Sequence, residues 1–392
     1  MTEQAVGQVR LKPKKNFKLR NGYLWVHAVH VGKVKPPEEA GGLVDIVDER
    51  GRFLARGYYN DASRIPARVL AWDKCAIDLA FFRSRIQRAW EYRQRHLEDT
   101  RACRVVFGES DGLPGLVVDR FEDVLVVQIQ TLGMERFRDL IVEALISVLE
   151  PTGIYERSQG ASRRLEGMEE RTGPLLGDPP GLVPINHGGL RMEVDVAGGQ
   201  KTGLFLDQRL NHLAMRRFAP DARVLDVFCH TASFGLHAAA AGARTVVAID
   251  QSRDALEVAE SCAVANGLES LCDFVEGNAF DVLRSIEEQF DLVVVDPPAF
   301  ARNRASLEGA LRGYKEVNLR AMKRVSPGGV LVSCSCSYHM NRDRFTSMLV
   351  SAARDAGRPL KVIEERSQSP DHPVLLAHPE TSYLKCFVLQ VE

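Results

Sequence analysis

From about residue 220 onward the chain alternates strand-like and helix-like segments without a break. RVLDVF, TVVAID, CDFVEG, FDLVVVDPP, GGVLVSCSC, LKVIEERS and YLKCFVLQV read as strands. Between them, FGLHAAAAGA, SRDALEVAESCAVANG, NAFDVLRSIEEQ, LEGALRGYKEVNLRAMKRV and RDRFTSMLVSAARDAG carry apolar residues at helical spacing. A parallel strand pair needs a crossover, and a helix supplies it. The pattern therefore predicts an α/β domain, a doubly wound parallel sheet with helices on both faces. The last strand follows its predecessor through a loop with no clear helix, so it is expected to run antiparallel to its neighbours.

The first part of the chain reads differently. Residues 1–75 hold short apolar runs with turn signals at Asn21-Gly22 and at Glu49-Arg50-Gly51, which predict a small β domain. Asp78 opens a helical stretch in which Leu79, Phe82, Ile86, Ala89 and Trp90 share a face and arginines take the other. Strand signals follow over 103–130 and a helix over MERFRDLIVEALISVL. The Gly/Pro-rich run GPLLGDPPGLVP reads as a loop and then a return strand. The expected division is 1–75, 76–185 (a central α+β domain) and 186–392.

At 392 residues, 45% apolar and 26% charged, the composition excludes disorder and collagen. No apolar run reaches the roughly 18 residues of a membrane span, so no membrane partner is expected. MTEQAVGQVRLKPKK has no apolar segment of the secretory kind. Eight cysteines stand in no C-x-x-C pair and read as reduced thiols, which points to the cytoplasm and to no metal centre. The net charge of −1 conceals an asymmetry. Residues 1–110 hold 21 Lys and Arg against 13 Asp and Glu, a net +8, and the remainder holds 30 against 39, a net −9. A basic front suggests a polyanion partner; a solvated basic surface is the other reading.

Ligands of doubly wound sheets bind at the C-terminal strand ends. The first such end is Asp226-Val227-Phe228-Cys229-His230-Thr231-Ala232-Ser233-Phe234-Gly235, with one glycine where a dinucleotide site needs three. A carboxylate there suits a cationic amino-acid moiety, as in S-adenosylmethionine; a helix N-cap is the other reading of Asp226. Asp250 ends the second strand, where a carboxylate can accept from ribose hydroxyls or cap a helix. Asn278 follows the third strand and can meet an adenine edge or act as a cap. Asp296-Pro297-Pro298 ends the fourth on a stiff loop suited to holding the amino edge of a base, or to a plain turn. Cys334 and Cys336 end the fifth. Cys334 lies deeper and reads as core; Cys336 reads either as an inert thiol or as a nucleophile facing the cleft.

The combination of Lys201-Thr202-Gly203-Leu204-Phe205-Leu206-Asp207-Gln208-Arg209, Asp226-x-Phe228, Asp296-Pro297-Pro298-x-Phe300, Arg312-Gly313-Tyr314-Lys315 and Ser335-Cys336-Ser337 resembles the RlmI family of S-adenosylmethionine-dependent 23S rRNA cytosine-C5 methyltransferases. The likeness extends to Gly57-Tyr58-Tyr59-Asn60, to Tyr155-Glu156-Arg157, to Asp371-His372-Pro373 and to Tyr383-Leu384-Lys385. It implies an N-terminal PUA-like RNA-binding domain and a Rossmann-like class I methyltransferase domain. It also implies ribosomal RNA as partner and suggests a homodimer. By the same resemblance Asp226, with Phe228, Thr231 and Phe234, holds the methionine part of the cofactor. Asp250 with Ser252 holds the ribose, and Asn278 with Ala279 the adenine; the family often has Asp at the Asn278 position. Phe205 and Gln208 close over the cofactor, Asp296 takes the base, and Cys336 is the catalytic cysteine. The second cysteine that other RNA cytosine-C5 methyltransferases carry in the fourth-strand loop is absent: Ala299 stands there.

Cytosine C5 is a poor nucleophile, and a thiolate added at C6 makes it enamine-like. That need accounts for a cysteine at a strand end beside a carboxylate. Two other functions fit parts of the pattern. A methyltransferase for a guanine nitrogen or exocyclic amine needs no thiol, and a non-catalytic assembly factor needs neither the thiol nor the three strand-end carboxylates.

Overall fold

The computed structural model describes residues 6–199, 202–300 and 307–392. They form two compact units, one of Met1–Ile185, Val194–Leu204 and Pro370–Thr381, the other of Asn186–Glu193, Phe205–Ser369 and Ser382–Glu392.

The second unit is built on a seven-stranded sheet. Its strands in chain order are Arg223–Val227, Thr245–Asp250, Cys272–Glu276, Phe290–Val295, Val325–Ser335, Leu360–Arg366 and Lys385–Val391. In space they lie third, second, first, fourth, fifth, seventh, sixth. The first five are parallel. The seventh is inserted antiparallel between the fifth and the sixth, as the missing crossover helix requires. The central strands are buried on both faces, which is why FDLVVV and RVLDV read as nearly unbroken apolar runs. Leu225, Val293, Tyr314, Phe345 and Phe387 belong to one core. Strand order reverses between the first and fourth strands, so a crevice opens at their C-terminal ends. Gly235 lets the helix Ser233–Ala240 approach this point; a Cβ there would lie 2.9 Å from Val246 Cγ1 and 3.3 Å from Asp226 Oδ2.

The first unit holds a six-stranded sheet over residues 7–71 and a five-stranded sheet over 102–176. The turn at Gly51 joins antiparallel strands Leu43–Val47 and Phe53–Tyr59, with Asp48 Oδ1 accepting from the amides of Arg50 and Arg52. Three local readings of the sequence are corrected. Phe17–Arg20, read as part of an extended run, is a single helical turn before Gly22 at φ +89°. GPLL is not loop but the end of the strand Arg171–Leu176, where Pro174 is tolerated because the strand lies at the sheet edge. MERFRDLIVEALISVL breaks into Leu132–Glu135 and Arg138–Leu149.

The helix Leu79–His96 begins at Asp78, whose side chain accepts from the Phe81 amide. It buries Phe82, Ile86 and Ala89, and it also buries Arg93, one of the arginines that helical spacing puts on the opposite face. Arg93 grips both oxygens of Asp111 at 2.6 and 2.9 Å and donates to the carbonyls of Arg104 and Asp371. A buried guanidinium is tolerable only when paired and bonded this fully. Among the described residues, no helix is long and apolar enough to cross a membrane.

Candidate active site

The three strand-end carboxylates meet at the crevice of the second unit. Asp226 is buried; its Oδ2 accepts from the Gly235 amide at 2.9 Å, while its Oδ1 is buried with no protein partner. Burial, reinforced by Asp296 and Asp250, pushes its carboxyl up to about 7. A carboxylate so placed lacks a cation and a donor, both of which the ammonium group of an amino-acid moiety provides. The Thr231 hydroxyl in the same loop is likewise buried with no protein partner. Phe228, His230 and Ala232 all take positive φ, a costly conformation for residues with a side chain, which gives this loop its curled path. Phe234 lies on the first turn of the following helix and packs edge-on to His212 at 4.4 Å.

Asp250 accepts from the His230 amide at 2.9 Å and from the Ser252 amide at 2.9 Å. It thus braces the loop that carries Thr231, and each oxygen keeps a lone pair for a further donor. Ser252 caps the helix Arg253–Ala265. Asn278 is a cap as well, its Oδ1 accepting from the Phe280 amide, and Ala279 is the buried first residue of that helix. Capping uses only the carbonyl oxygen of Asn278.

Asp296 is bonded by Gln208, from Nε2 to Oδ2, at 2.9 Å. Gln208 is buried, and Phe205 stands edge-on to His230 at 4.9 Å. The segment is anchored by Asp207, which accepts from the Tyr383 hydroxyl at 2.6 Å. Lys201 lies outside the described residues.

The fifth strand explains its own alternation. Ser333 donates to Asn318, and Ser335 and Ser337 both bond the Tyr314 hydroxyl, at 3.1 and 3.0 Å. The serines thus face the helix Leu307–Arg324, and Cys334, within the strand, faces the other way. Cys334 is fully buried against Cys386 and Gln208, and burial pushes its thiol well above the usual range. Cys336 follows the last strand residue and is half-buried at the rim.

Two features escaped the sequence reading. Lys385, the first residue of the seventh strand, donates from Nζ to the Ser337 carbonyl at 2.7 Å and the Tyr383 carbonyl at 2.5 Å. Burial pulls its ammonium down to about 8, while Cys336 acts in the raising direction. Phe228, Phe280 and Phe300 form a triangle of half-buried rings, 6.1 to 6.3 Å between centroids, at the same strand ends. Asp226-x-Phe228 and Asp-Pro-Pro-x-Phe300 supply two of these rings in the sequence but not their meeting with Phe280; Lys385 had only its place in Tyr-Leu-Lys.

Comparisons with known proteins bear on the whole chain. Residues 9–72 match a PUA-like domain, and residues 158–386 match the S-adenosylmethionine-dependent methyltransferase family. Ribosomal RNA large subunit methyltransferase I of Klebsiella pneumoniae subsp. pneumoniae is 40% identical over 399 residues, covering 100% of both chains. The protein of that name from Citrobacter koseri is 42% identical over 94% of this chain and 95% of its own. Among solved structures, a Streptococcus mutans protein described as a SAM-dependent methyltransferase superposes with a TM-score of 0.84 at 20% identity, covering 98% and 99% of the two chains. A methyltransferase structure complexed with SAH gives 0.84 at 21%, with the same coverage. These two likenesses establish the fold.

Proposed function

This chain belongs to the S-adenosylmethionine-dependent methyltransferase family, among the ribosomal RNA large subunit methyltransferase I proteins, and from that premise we propose that it forms 5-methylcytosine in 23S rRNA through a covalent adduct at Cys336. The observation that carries this reading is the Ser-Cys-Ser-Cys-Ser strand end. Its serines are bonded into the fold, one cysteine is entombed, and the other stands at the rim beside a lysine ammonium.

When bound, S-adenosylmethionine supplies an electrophilic methyl group. Asp226 and Thr231 would hold its amino-acid part, Asp250 its ribose, and Asn278 with the neighbouring phenylalanine rings its adenine. The orphaned Oδ1 of Asp226 and hydroxyl of Thr231 support the fit. Lys385, held by two carbonyls, keeps positive charge near Cys336 and favours its thiolate. The thiolate adds to C6 of a cytosine turned out of its stack, which makes C5 nucleophilic. Asp296, oriented by Gln208, holds the N3/N4 edge of the ring and favours the protonated adduct. C5 would then gain the methyl group, and a base that takes the C5 proton lets the C6–S bond break, which releases the thiolate and restores the aromatic ring.

In this reading residues 1–75 bind RNA, 76–185 form a central domain, and 186–392 carry the chemistry, in the cytoplasm and as a homodimer. Mapping 5-methylcytosine in ribosomal RNA from cells lacking the protein tests it. One cytosine should lose its modification and regain it on complementation. A lost methyl on a guanine or on an exocyclic amine would reject the C5 assignment.

A further inference from the structure

The first unit contains a cavity of about 400 Å³ that the methylation chemistry does not use. Its walls include Trp72, Arg85, Arg88 and Tyr92. Trp72 is 43% exposed and Tyr92 37%, although large aromatic side chains gain most from burial. Arg85 and Arg88 lie three apart on the helix Leu79–His96, and neither pairs with a carboxylate among the described residues. Arg85 donates from Nη2 to the Leu70 carbonyl at 3.0 Å, and its Nε is buried with no partner. Arg88 bonds only within its own helix, to Ser84.

The acids on the same wall are already committed. Asp111 is taken by Arg93 through both oxygens and by the Phe107 amide, and Glu109 accepts from Trp25 Nε1 at 2.8 Å. The cavity therefore presents two aromatic rings and two guanidinium groups that form no ion pair among the described residues, with the Glu109 carboxylate on the same wall. Burial and then the repulsion of Arg88 pull Arg85 down from its ordinary value, against the opposite effect of Cys75 and Asp73, so a further anion between the two arginines would relieve a remaining cost. Its volume lies toward the lower end of the roughly 300–1,000 Å³ of small-ligand pockets, the scale of one nucleotide and not of a duplex. The surrounding segment, residues 1–110, carries net +8.

We propose that this cavity takes one unstacked nucleotide of a single-stranded segment of the RNA substrate, with the base against Trp72 and Tyr92 and a phosphate between Arg85 and Arg88. Stacking on aromatic rings and phosphate contact by arginine are how proteins hold single strands without reading their sequence. The proposal rests on the ribosomal RNA reading and adds a second point of contact, in the first unit, for a nucleotide other than the reacting cytosine.

The test uses the full-length protein and a single-stranded RNA oligonucleotide of mixed sequence, followed by tryptophan fluorescence and by direct titration. Trp72→Ala should weaken binding about tenfold or more, and Trp72→Phe, which keeps a stacking ring, should restore most of it. Arg88→Ala should lower the slope of log affinity against log salt by about one. S-adenosylmethionine affinity should stay at the wild-type value in all three. Wild-type RNA affinity and salt slope in folded Trp72→Ala and Arg88→Ala would overturn the proposal, and would leave the methylation reading intact if the wild-type protein still modifies ribosomal RNA. Quenching of Trp72 by an acidic peptide but not by RNA would assign the cavity to a protein partner and overturn it as well.

Discussion

Gln208 donates from Nε2 to Asp296 Oδ2 at 2.9 Å, while its own Oε1 accepts from Asn211 Nδ2 at 2.5 Å. The two bonds fix which end of the amide faces the carboxylate. Asp296 therefore reaches the crevice already oriented, by a residue 88 positions earlier in the chain. Gln208→Glu replaces the donor with a second acceptor and sets two carboxylates together. Methyl transfer should fall by about tenfold or more, a barrier change of roughly 1.4 kcal/mol. Gln208→Ala should fall less, since it removes the bond without adding a like charge. Equal rates for the wild type and Gln208→Glu would show that the orientation of Asp296 does not matter to the reaction.

The Asp226 carboxyl, raised to about 7 by burial, makes cofactor binding pH-dependent. In the unliganded protein half the molecules carry a proton there near pH 7. An ammonium partner stabilises the carboxylate and lowers its pKa, so binding must release that proton below pH 7. Affinity for S-adenosylmethionine should be at its plateau above about pH 8. It should fall towards tenfold per unit as pH drops below 7. Titration calorimetry at pH 6 and pH 8 checks this. Asp226→Asn should bind weakly at both and lose the dependence; an affinity that stays flat in the wild type would contradict the role given to Asp226.

Much of this site was legible because strand–helix alternation fixes where strand ends lie. Asp226, Asp250 and Asp296 could be placed at one crevice from periodicity alone, since the rule for open sheets needs only the strands and their direction. What periodicity does not carry is which residue a side chain meets across the sheet. Lys385 reaches the end of the fifth strand because the seventh strand inserts between the fifth and sixth. Nothing local to Tyr-Leu-Lys encodes that insertion. Arg93 was misread for the same reason. Helical spacing put it on the arginine face, but its partners Asp111 and Asp371 come from distant loops that cover that part of the helix. Asn278 and Ser252 show the opposite limit: both cap helices, as their residue types favour, and capping leaves any contact to a cofactor undetermined by sequence.

The second unit also holds a buried histidine cluster with a consequence for stability. His187 and His212 share a hydrogen bond at 3.0 Å, and Arg216 donates to His237 Nδ1 at 2.7 Å. The Arg216 guanidinium is the charged partner in these bonds, and it donates to His237. Burial pulls both His212 and His237 well below their usual value, helped by His187 at His212 and by His187, His212 and Arg216 at His237. In the unfolded chain both protonate near pH 6.5; in the fold they stay neutral. Stability is thus full above about 6.5 and is lost as pH falls, by about 1.4 kcal/mol per pH unit for each histidine. Thermal melts between pH 7.5 and 5 should show this decline. His212→Gln, which can still bond His187 but cannot titrate, should flatten it by about one proton's worth. An unchanged slope would mean that His212 already protonates in the fold.

Cys334 lies inside the fifth strand and Cys336 one residue past its end, while Ser335 and Ser337 bond the Tyr314 hydroxyl. Only Cys336 combines partial exposure with a lysine ammonium nearby; Cys334 is fully buried, and its thiol is pushed towards the neutral form. Cys336→Ala should abolish methyl transfer and leave S-adenosylmethionine binding near normal, because the thiol acts on the base. Cys334→Ala should keep most activity and lose roughly 1–3 kcal/mol of stability, the range for truncating a small buried side chain. Lys385→Met should slow transfer most at neutral pH and recover as pH rises, because a thiol without its cation needs more base to ionise. Lys385→Arg, which keeps the charge, should retain the wild-type rate up to about pH 8, above which the lysine but not the arginine gives up its proton. RNA bearing 5-fluorocytosine at the target should trap the adduct, since fluorine cannot leave as a proton does, and mass spectrometry of the linked peptide locates the sulfur. A link at Cys334, or full turnover by Cys336→Ala, would overturn the choice of nucleophile and with it the attack on C6.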